Sequence, residues 1–350
     1  MTAFFYAFMT RLISLLSFIL LLSACQSEPQ YSKLTGSTMG TTYNITLESQ
    51  GIPLEQLQES INKELDTINQ LMSTYIPDSE INQFNALTSD QCFHFSDATW
   101  TVLVAARDIY HQTNGAFDIT VGPLIQRWGF DAAEYDDKVP SRQEVERLRL
   151  AVGTDKLKFD FAEQCLSKSV PELTINLSAI AKGYAVDQLT HIMEEYNAAN
   201  YLVEIGGETK GQGVNVHGLP WRIAVEKPAS GIQQQGLLIV ALSGTSIATS
   251  GDYRNYFEVD GQRFSHTIDP TSGYPITHNL TSVSVIHPSN MYADAYATAF
   301  SVMGFEASKE FAKEYQLPIF LVTKQDGKLT SFTNEQFQEL VLDPSQPTAE

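Results

Sequence analysis

The sequence predicts an α+β fold in one continuous domain, and three observations lead there. Amphipathic helices concentrate ahead of residue 200, while strands and hairpins dominate after it. The two are mixed without the regular strand–helix rhythm of a doubly wound sheet. With 43% apolar and 18% charged residues, the chain can bury a sizeable core and is not a disordered polypeptide.

The elements follow in order. "LEQLQESINKELDTINQLM" places Leu54, Leu57, Ile61, Leu65, Ile68 and Leu71 at steps of three and four, one apolar helix face. "SDATWTVLVAARDIYHQTNG" predicts a second helix, with Asp97 as its cap and Asn114-Gly115 as its stop. A third begins near Ser141, behind Pro140, and a fourth runs from about Ser178 to Tyr196. Then come "YLVEI", leading into Gly206-Gly207, followed by "WRIAVE" and "LLIVALS". "YFEVDGQRFSHTI" holds Asp260-Gly261, a hairpin signal. "TSVSVIHP" alternates as a strand, "YADAYATAFSVMG" reads as a core helix, and "PIFLVT" and "LTSFT" flank a last turn. No repeat or low-complexity linker interrupts residues 36 to 343.

Residues 1–24 read as an export signal. "LISLLSFILLLSA", between Arg11 and Cys25, is uncharged and apolar but short for a membrane span. Leu22-Ser23-Ala24-Cys25 resembles the lipobox of bacterial lipoproteins, in which the cysteine is lipidated; an uncleaved anchor is the alternative. Met9 makes a more conventional start than Met1. Residues 25–35 are then lipidated Cys25 with a polar tether, 36–343 the folded domain and 344–350 a tail. The expected location is a bacterial membrane surface facing the periplasm. Gln26 after Cys25 leans towards the outer membrane, with the inner membrane left open. A net charge of −19 repels nucleic acid and anionic lipid surfaces, so lipid alone would hold the protein at a membrane. Export also permits a disulfide between Cys92 and Cys165, although spacing does not decide whether they meet.

Several positions carry candidate chemistry. Asp294 sits among Ala, Tyr, Phe, Val and Met with no Lys or Arg in its segment, and Thr298 lies one turn on. Burying an unpaired carboxylate costs several kcal/mol, so a positive partner is expected. The pair offers hard oxygens suited to Mg²⁺ or Ca²⁺; an Asp capping its own helix start is the plainer reading. In "TINLSAIAKGYAVD", Lys182 lies among small residues where a helix begins, a position that favours phosphate. Arg254 in "ATSGDYRNYF" is an anion clamp or a surface pair. His266 in "SHTIDPTSGYP" is a base or a structural histidine. Asp118 in "TNGAFDITVGPLIQRWGF" is a second carboxylate among apolar neighbours. Gly206-Gly207 either exposes backbone N–H groups to an anion or only turns the chain.

Six stretches in this order resemble the ApbE family, the FAD:protein FMN transferases. They are "GSTMGTTY", "GAFDITVGPLIQRWGF", "INLSAIAKGYAVD", "ATSGDYRNYF", "SHTIDPTSGYP" and "ADAYATAFSVMG". The resemblance implies an enzyme that splits FAD, moves FMN onto a Thr or Ser hydroxyl of an exported or membrane flavoprotein, and releases AMP. By motif match, Asp294 and Thr298 would bind Mg²⁺ with the Ala179 carbonyl, and Ala297 would lie beside them. FAD contacts carry over to Met39, Tyr75, Ala116, Phe117, Asp118, Asn176, Lys182 and Thr267. Lys182 and Arg254 would share the diphosphate charge, with His266 as base for the acceptor hydroxyl. The implied acceptors are subunits of electron-transport complexes, sodium-pumping quinone reductases among them. Asn176 departs from the family's usual Asp: it keeps an acceptor and loses the charge. Two alternatives fit the same residues: a Mg²⁺-dependent FAD pyrophosphatase, and a lipid-anchored protein that binds FAD without cutting it.

Overall fold

The computed structural model describes residues 29–88, 90–130, 139–226, 237–251, 256–259 and 262–342. Cys25, Arg254, the Asp260-Gly261 turn and the tail therefore lie outside the described residues. The chain opens with β1 (Tyr31–Thr38) and β2 (Thr41–Glu48), paired as a hairpin. Helices α1 (Leu54–Met72) and α2 (Glu80–Asn85), strand β3 (Phe93–His94) and helices α3 (Asp97–Gln112), α4 (Gly122–Arg127) and α5 (Arg142–Arg149) follow. Strands β4 (Leu157–Asp160) and β5 (Cys165–Lys168) lead to α6 (Ala181–Glu195). Next are β6 (Tyr201–Ile205), β7 (Glu208–Gln212), β8 (Trp221–Glu226), β9 (Leu237–Leu242), β10 (Thr245–Gly251), β11 (Tyr256–Val259), β12 (Gln262–Ser265) and β13 (Leu280–His287). The chain closes with α7 (Asn290–Met303), α8 (Phe305–Glu314), β14 (Ile319–Gln325), β15 (Lys328–Thr333) and α9 (Glu335–Gln338).

The main sheet has the order β1-β2-β6-β7-β10-β13-β14-β15, every neighbouring pair antiparallel. Its spatial order is the chain order. It is a meander from which the chain departs four times: between β2 and β6, between β7 and β10, between β10 and β13, and between β13 and β14, where α7 and α8 intervene. Strand alternation gives it two apolar faces. Val283, Val285, Ile319 and Leu321 join the core under α1, α6 and α7. Ile247, Ile286, Phe320 and Val322 instead meet Trp221, Val225, Val240 and Leu242 of the β8–β9 hairpin. This is the expected α+β arrangement.

Helix α1 has the bounds its spacing predicts and buries Leu57, Ile61, Leu65, Ile68 and Met72. Helix α3 is capped by Ser96, not Asp97. The Ser96 side chain accepts from the Thr99 N–H, and its own N–H and hydroxyl donate to the Glu80 carboxylate. Ser141 caps α5 in a capping box with Glu144. Helix α6 starts at Ala181, later than Ser178, because Ile180 at φ −148° lies outside the helical range and stands at its N-cap. Strand β1 starts at Tyr31, so the expected tether contributes residues to the sheet ahead of the Gly36 boundary. Cys92 and Cys165 are joined in a disulfide, their Cα atoms 5.5 Å apart.

Candidate active site

The first three of these departures wall one cavity of about 530 Å³. The first supplies Ala116, Phe117, Asp118, Asn176, Ala179 and Lys182; the second Ile223, Ala224 and Val225; the third His266, Thr267 and Ile268. The meander adds Gly206, Gly207, Glu208 and Thr249, and α7 adds Asp294 and Thr298.

The charged centre is built where two helix N-termini meet. Gly183 is the third residue of α6, so its N–H has no partner within the helix. Asp294 Oδ2 accepts it at 3.1 Å, and Lys182 Nζ lies 3.6 Å from the same oxygen. The positive partner that Asp294 requires is thus Lys182, together with the positive end of α6. Asp294 does not cap its own helix. That task falls to Asp187 of α6, which accepts from the Asn290 N–H at 3.0 Å, the Met291 N–H at 3.1 Å, Ser289 Oγ at 2.6 Å and Lys210 Nζ at 3.0 Å. Each helix caps the other with a carboxylate near its own start. Such an exchange requires close backbones, and Gly183 provides it: a Cβ there would stand 2.4 Å from the Asn290 carbonyl oxygen.

Lys182 also contacts Glu208, a buried residue that the sequence did not single out. Burial works against the Lys182 charge, but the Asp294 and Glu208 carboxylates outweigh it and hold the ammonium above the usual lysine range. Burial pushes the Glu208 carboxyl up to about 8, against the pull of Lys182. Glu208 arrives there through Gly206-Gly207. Both glycines have positive φ, 57° and 105°, and Ile205 faces Glu208 across them, a two-residue hairpin turn. Their N–H groups donate to the Thr42 carbonyl and to Glu204 Oε1, so the pair turns the chain and holds no anion.

Asp118 serves the wall of the cavity from behind. Its carboxylate accepts from the N–H and hydroxyl groups of Thr120 and Thr154, which clamps the 116–121 loop; burial still raises its carboxyl above the ordinary aspartate range. Asn176 Oδ1 accepts from the Ser178 N–H, a turn that either Asn or Asp can make. Thr267 lines the cavity as a buried residue, and its carbonyl accepts from the Ile276 N–H. His266 stands half-buried with its ring edge-on to Phe130. Three expected residues are not in the cavity lining. Tyr75 is 68% exposed beyond α1, Met39 sits at positive φ in the β1–β2 turn, and Ala297 is buried in the core.

Among the described residues no three His, Cys, Asp or Glu side chains cluster as metal ligands. Beside α7 the lining brings together Asp294, Thr298 and Ala179, whose carboxylate, hydroxyl and backbone carbonyl are all oxygen donors. That oxygen-only set fits a hard cation that keeps positions for water or phosphate, and does not fit Zn²⁺.

The model of the ApbE family matches residues 39–321, most of the chain. This protein belongs to the ApbE family. An FAD:protein FMN transferase of Vibrio cholerae is 42% identical over 326 residues, 92% of this chain and 96% of that one. One from Escherichia coli K12 is 36% identical over 343 residues, 94% of this chain and 97% of that one. Among solved structures, the flavin transferase ApbE of Vibrio cholerae matches with a TM-score of 0.84 at 40% identity, over 89% of this chain and 99% of that one. The flavinyl transferase ApbE of Pseudomonas stutzeri in its apo form matches with 0.83 at 36%, over 90% and 98%. Among the described residues, the ApbE motifs quoted from the sequence meet at one place, except "GSTMGTTY", which forms the β1–β2 hairpin; residues 252–255 of "ATSGDYRNYF" lie outside the described residues. Asp187 was legible only as an acid within a helical segment, and Glu208 only as an acid beyond the Gly206-Gly207 turn; no spacing marked them.

Proposed function

We propose that this chain transfers FMN from FAD to a protein hydroxyl and releases AMP, with Mg²⁺ held by Asp294, Thr298 and the Ala179 carbonyl beside Ala297. One observation carries the reading. In a member of a family whose relatives bear the name FAD:protein FMN transferase, Lys182, Asp294, Thr298, His266 and Thr267 converge on one cavity roomy enough for part of a dinucleotide.

The chemistry is the attack of a Thr or Ser oxygen on the FMN-side phosphorus. One P–O bond forms, the bond to the AMP phosphate breaks, and the hydroxyl proton passes to His266 as base. Positioning and charge neutralisation carry most of such a reaction. Lys182 supplies fixed positive charge at the diphosphate, joined by Arg254. Mg²⁺, when bound, neutralises the phosphate oxygens that gain charge. Ala116, Phe117, Asp118, Asn176 and Thr267 would hold FAD in the cavity, with Met39 and Tyr75 reaching its flavin end.

The acceptors we favour are flavin-carrying subunits of electron-transport complexes such as sodium-pumping quinone reductases. We place the protein on a membrane facing the periplasm, anchored by lipid on Cys25. The Cys92–Cys165 disulfide supports an oxidising compartment.

The test mixes soluble protein beginning at Gln26 with FAD, Mg²⁺ and the flavin-carrying subunit domain of a sodium-pumping quinone reductase. The intact mass of that domain should rise by one FMN, and EDTA should abolish the gain. Free FMN and AMP without protein modification would mark a pyrophosphatase instead. FAD left intact would mark a binding protein.

A further inference from the structure

Among the described residues strand β8 has one unpaired edge, and its residues Ile223, Ala224 and Val225 line the cavity. Among the described residues β8 pairs with β9 alone, with Ile223 opposite Val240 and Ala224 opposite Ile239. The other side of β9 is taken. The Ala241 N–H donates to the Leu340 carbonyl, and the Ile239 carbonyl accepts from the Leu342 N–H. Ile239 and Ala241 therefore turn their backbone groups away from β8. In an antiparallel ladder both members of a pair point the same way relative to their partner. It follows that Trp221, Ile223 and Val225 bond to β9, while Arg222, Ala224 and Glu226 turn N–H and C=O outward. The Trp221 and Val225 side chains anchor the strand in the core, and Ala224 is exposed in the cavity wall.

We propose that this edge receives the acceptor protein: an extended segment of the acceptor pairs antiparallel or parallel with β8 and presents its hydroxyl to the Lys182–Asp294 centre. The inference rests on the reading that the chain modifies a protein. Unpaired strand edges are ready templates for another chain, and backbone pairing binds it with little demand on its side chains. Ala224 has the smallest side chain of β8 and leaves the approach open. None of the residues assigned to FAD lies on β8, so the two ligands meet in the cavity from different walls.

Two measurements test this, both with the subunit domain named above. First, amide hydrogen exchange of the unaltered chain is followed with and without that domain carrying Val at its target Thr, so that no transfer occurs. Exchange at the Ala224 N–H should slow about tenfold or more, the effect of roughly one backbone hydrogen bond. Unchanged exchange at Ala224 while other surfaces become protected would overturn the proposal. Second, Ala224→Pro removes an outward donor that the β8–β9 ladder does not use. The KM for the acceptor should rise about tenfold, with FAD affinity, read from flavin fluorescence, within about twofold. An unchanged acceptor KM, or lost FAD affinity, would overturn it, the latter by showing that the edge holds the nucleotide. Protection at Ala224 with no transfer by the unaltered enzyme would leave the edge standing and defeat the functional reading alone.

Discussion

Lys182 stands between two buried carboxylates, and removing it exposes how the centre is balanced. Lys182→Met leaves Glu208 and Asp294 facing each other without a cation, and breaking such a pair costs about 3–5 kcal/mol. Adding Glu208→Gln removes the buried acid that Lys182 had paired, so the double variant should melt above the single one at a pH above about 8, where Glu208 would otherwise be charged. An equal or lower Tm for the double variant would contradict that balance. Asp187→Ala should lower stability by about 3 kcal/mol, because it strips the cap from α7 and leaves Lys210 without its carboxylate; urea unfolding at neutral pH reads this directly. His287 adds a pH dependence. It lies half-buried against the rings of Tyr292 and Tyr296, with Asp187 and Lys210 nearby, and burial holds its imidazole below the ordinary histidine range. Below about pH 6.5 the unfolded chain binds this proton more readily than the folded one. The stability His287 contributes is therefore present above that pH and is lost as pH falls towards the depressed value. His287→Gln should flatten the Tm-against-pH curve across that window, and an unchanged slope would assign the loss to other groups.

The contact of α6 with α7 shows why the site was only partly legible. Periodicity placed both helices, and the isolation of Asp294 among apolar residues correctly demanded a positive partner. What it did not reveal was the source of that partner, since Lys182 lies over a hundred residues away and the Gly183 contact appears only when two backbones are set side by side. Asp187 looked like an ordinary polar position in the middle of a helical segment. The same limit explains the unsignalled strands. β7 and β10 carry Thr, Gly and Ser where alternation would be read, and they hold as strands because neighbours on both sides complete their ladders. At this scale Gly183→Ala is the informative change. Its added methyl must push α6 and α7 apart, with an expected loss of about 1–3 kcal/mol. FAD affinity should fall with it, because Lys182 and Asp294 sit on opposite sides of the seam. Retained affinity at unchanged Tm would show that the helices have slack.

Across the whole molecule, the disulfide closes the first departure from the meander, with Cys92 and Cys165 separated by 73 residues. In the chain-entropy account a loop of that length is stabilised by about 4 kcal/mol. Reduction, or Cys92→Ser with Cys165→Ser, should lower the Tm by several degrees, and an unmoved Tm would mean that the α3 region is held by packing alone. The sheet itself keeps neighbouring strands in chain order, while each departure leaves from one strand and returns to the strand beside it. The two ends of every departure are therefore close together whatever lies between them. Each wall of the cavity is in that sense a cassette. The β8–β9 hairpin can lengthen, shorten or be exchanged between relatives with its anchoring points unmoved, so the choice of protein modified can drift while the apparatus that handles the nucleotide stays put.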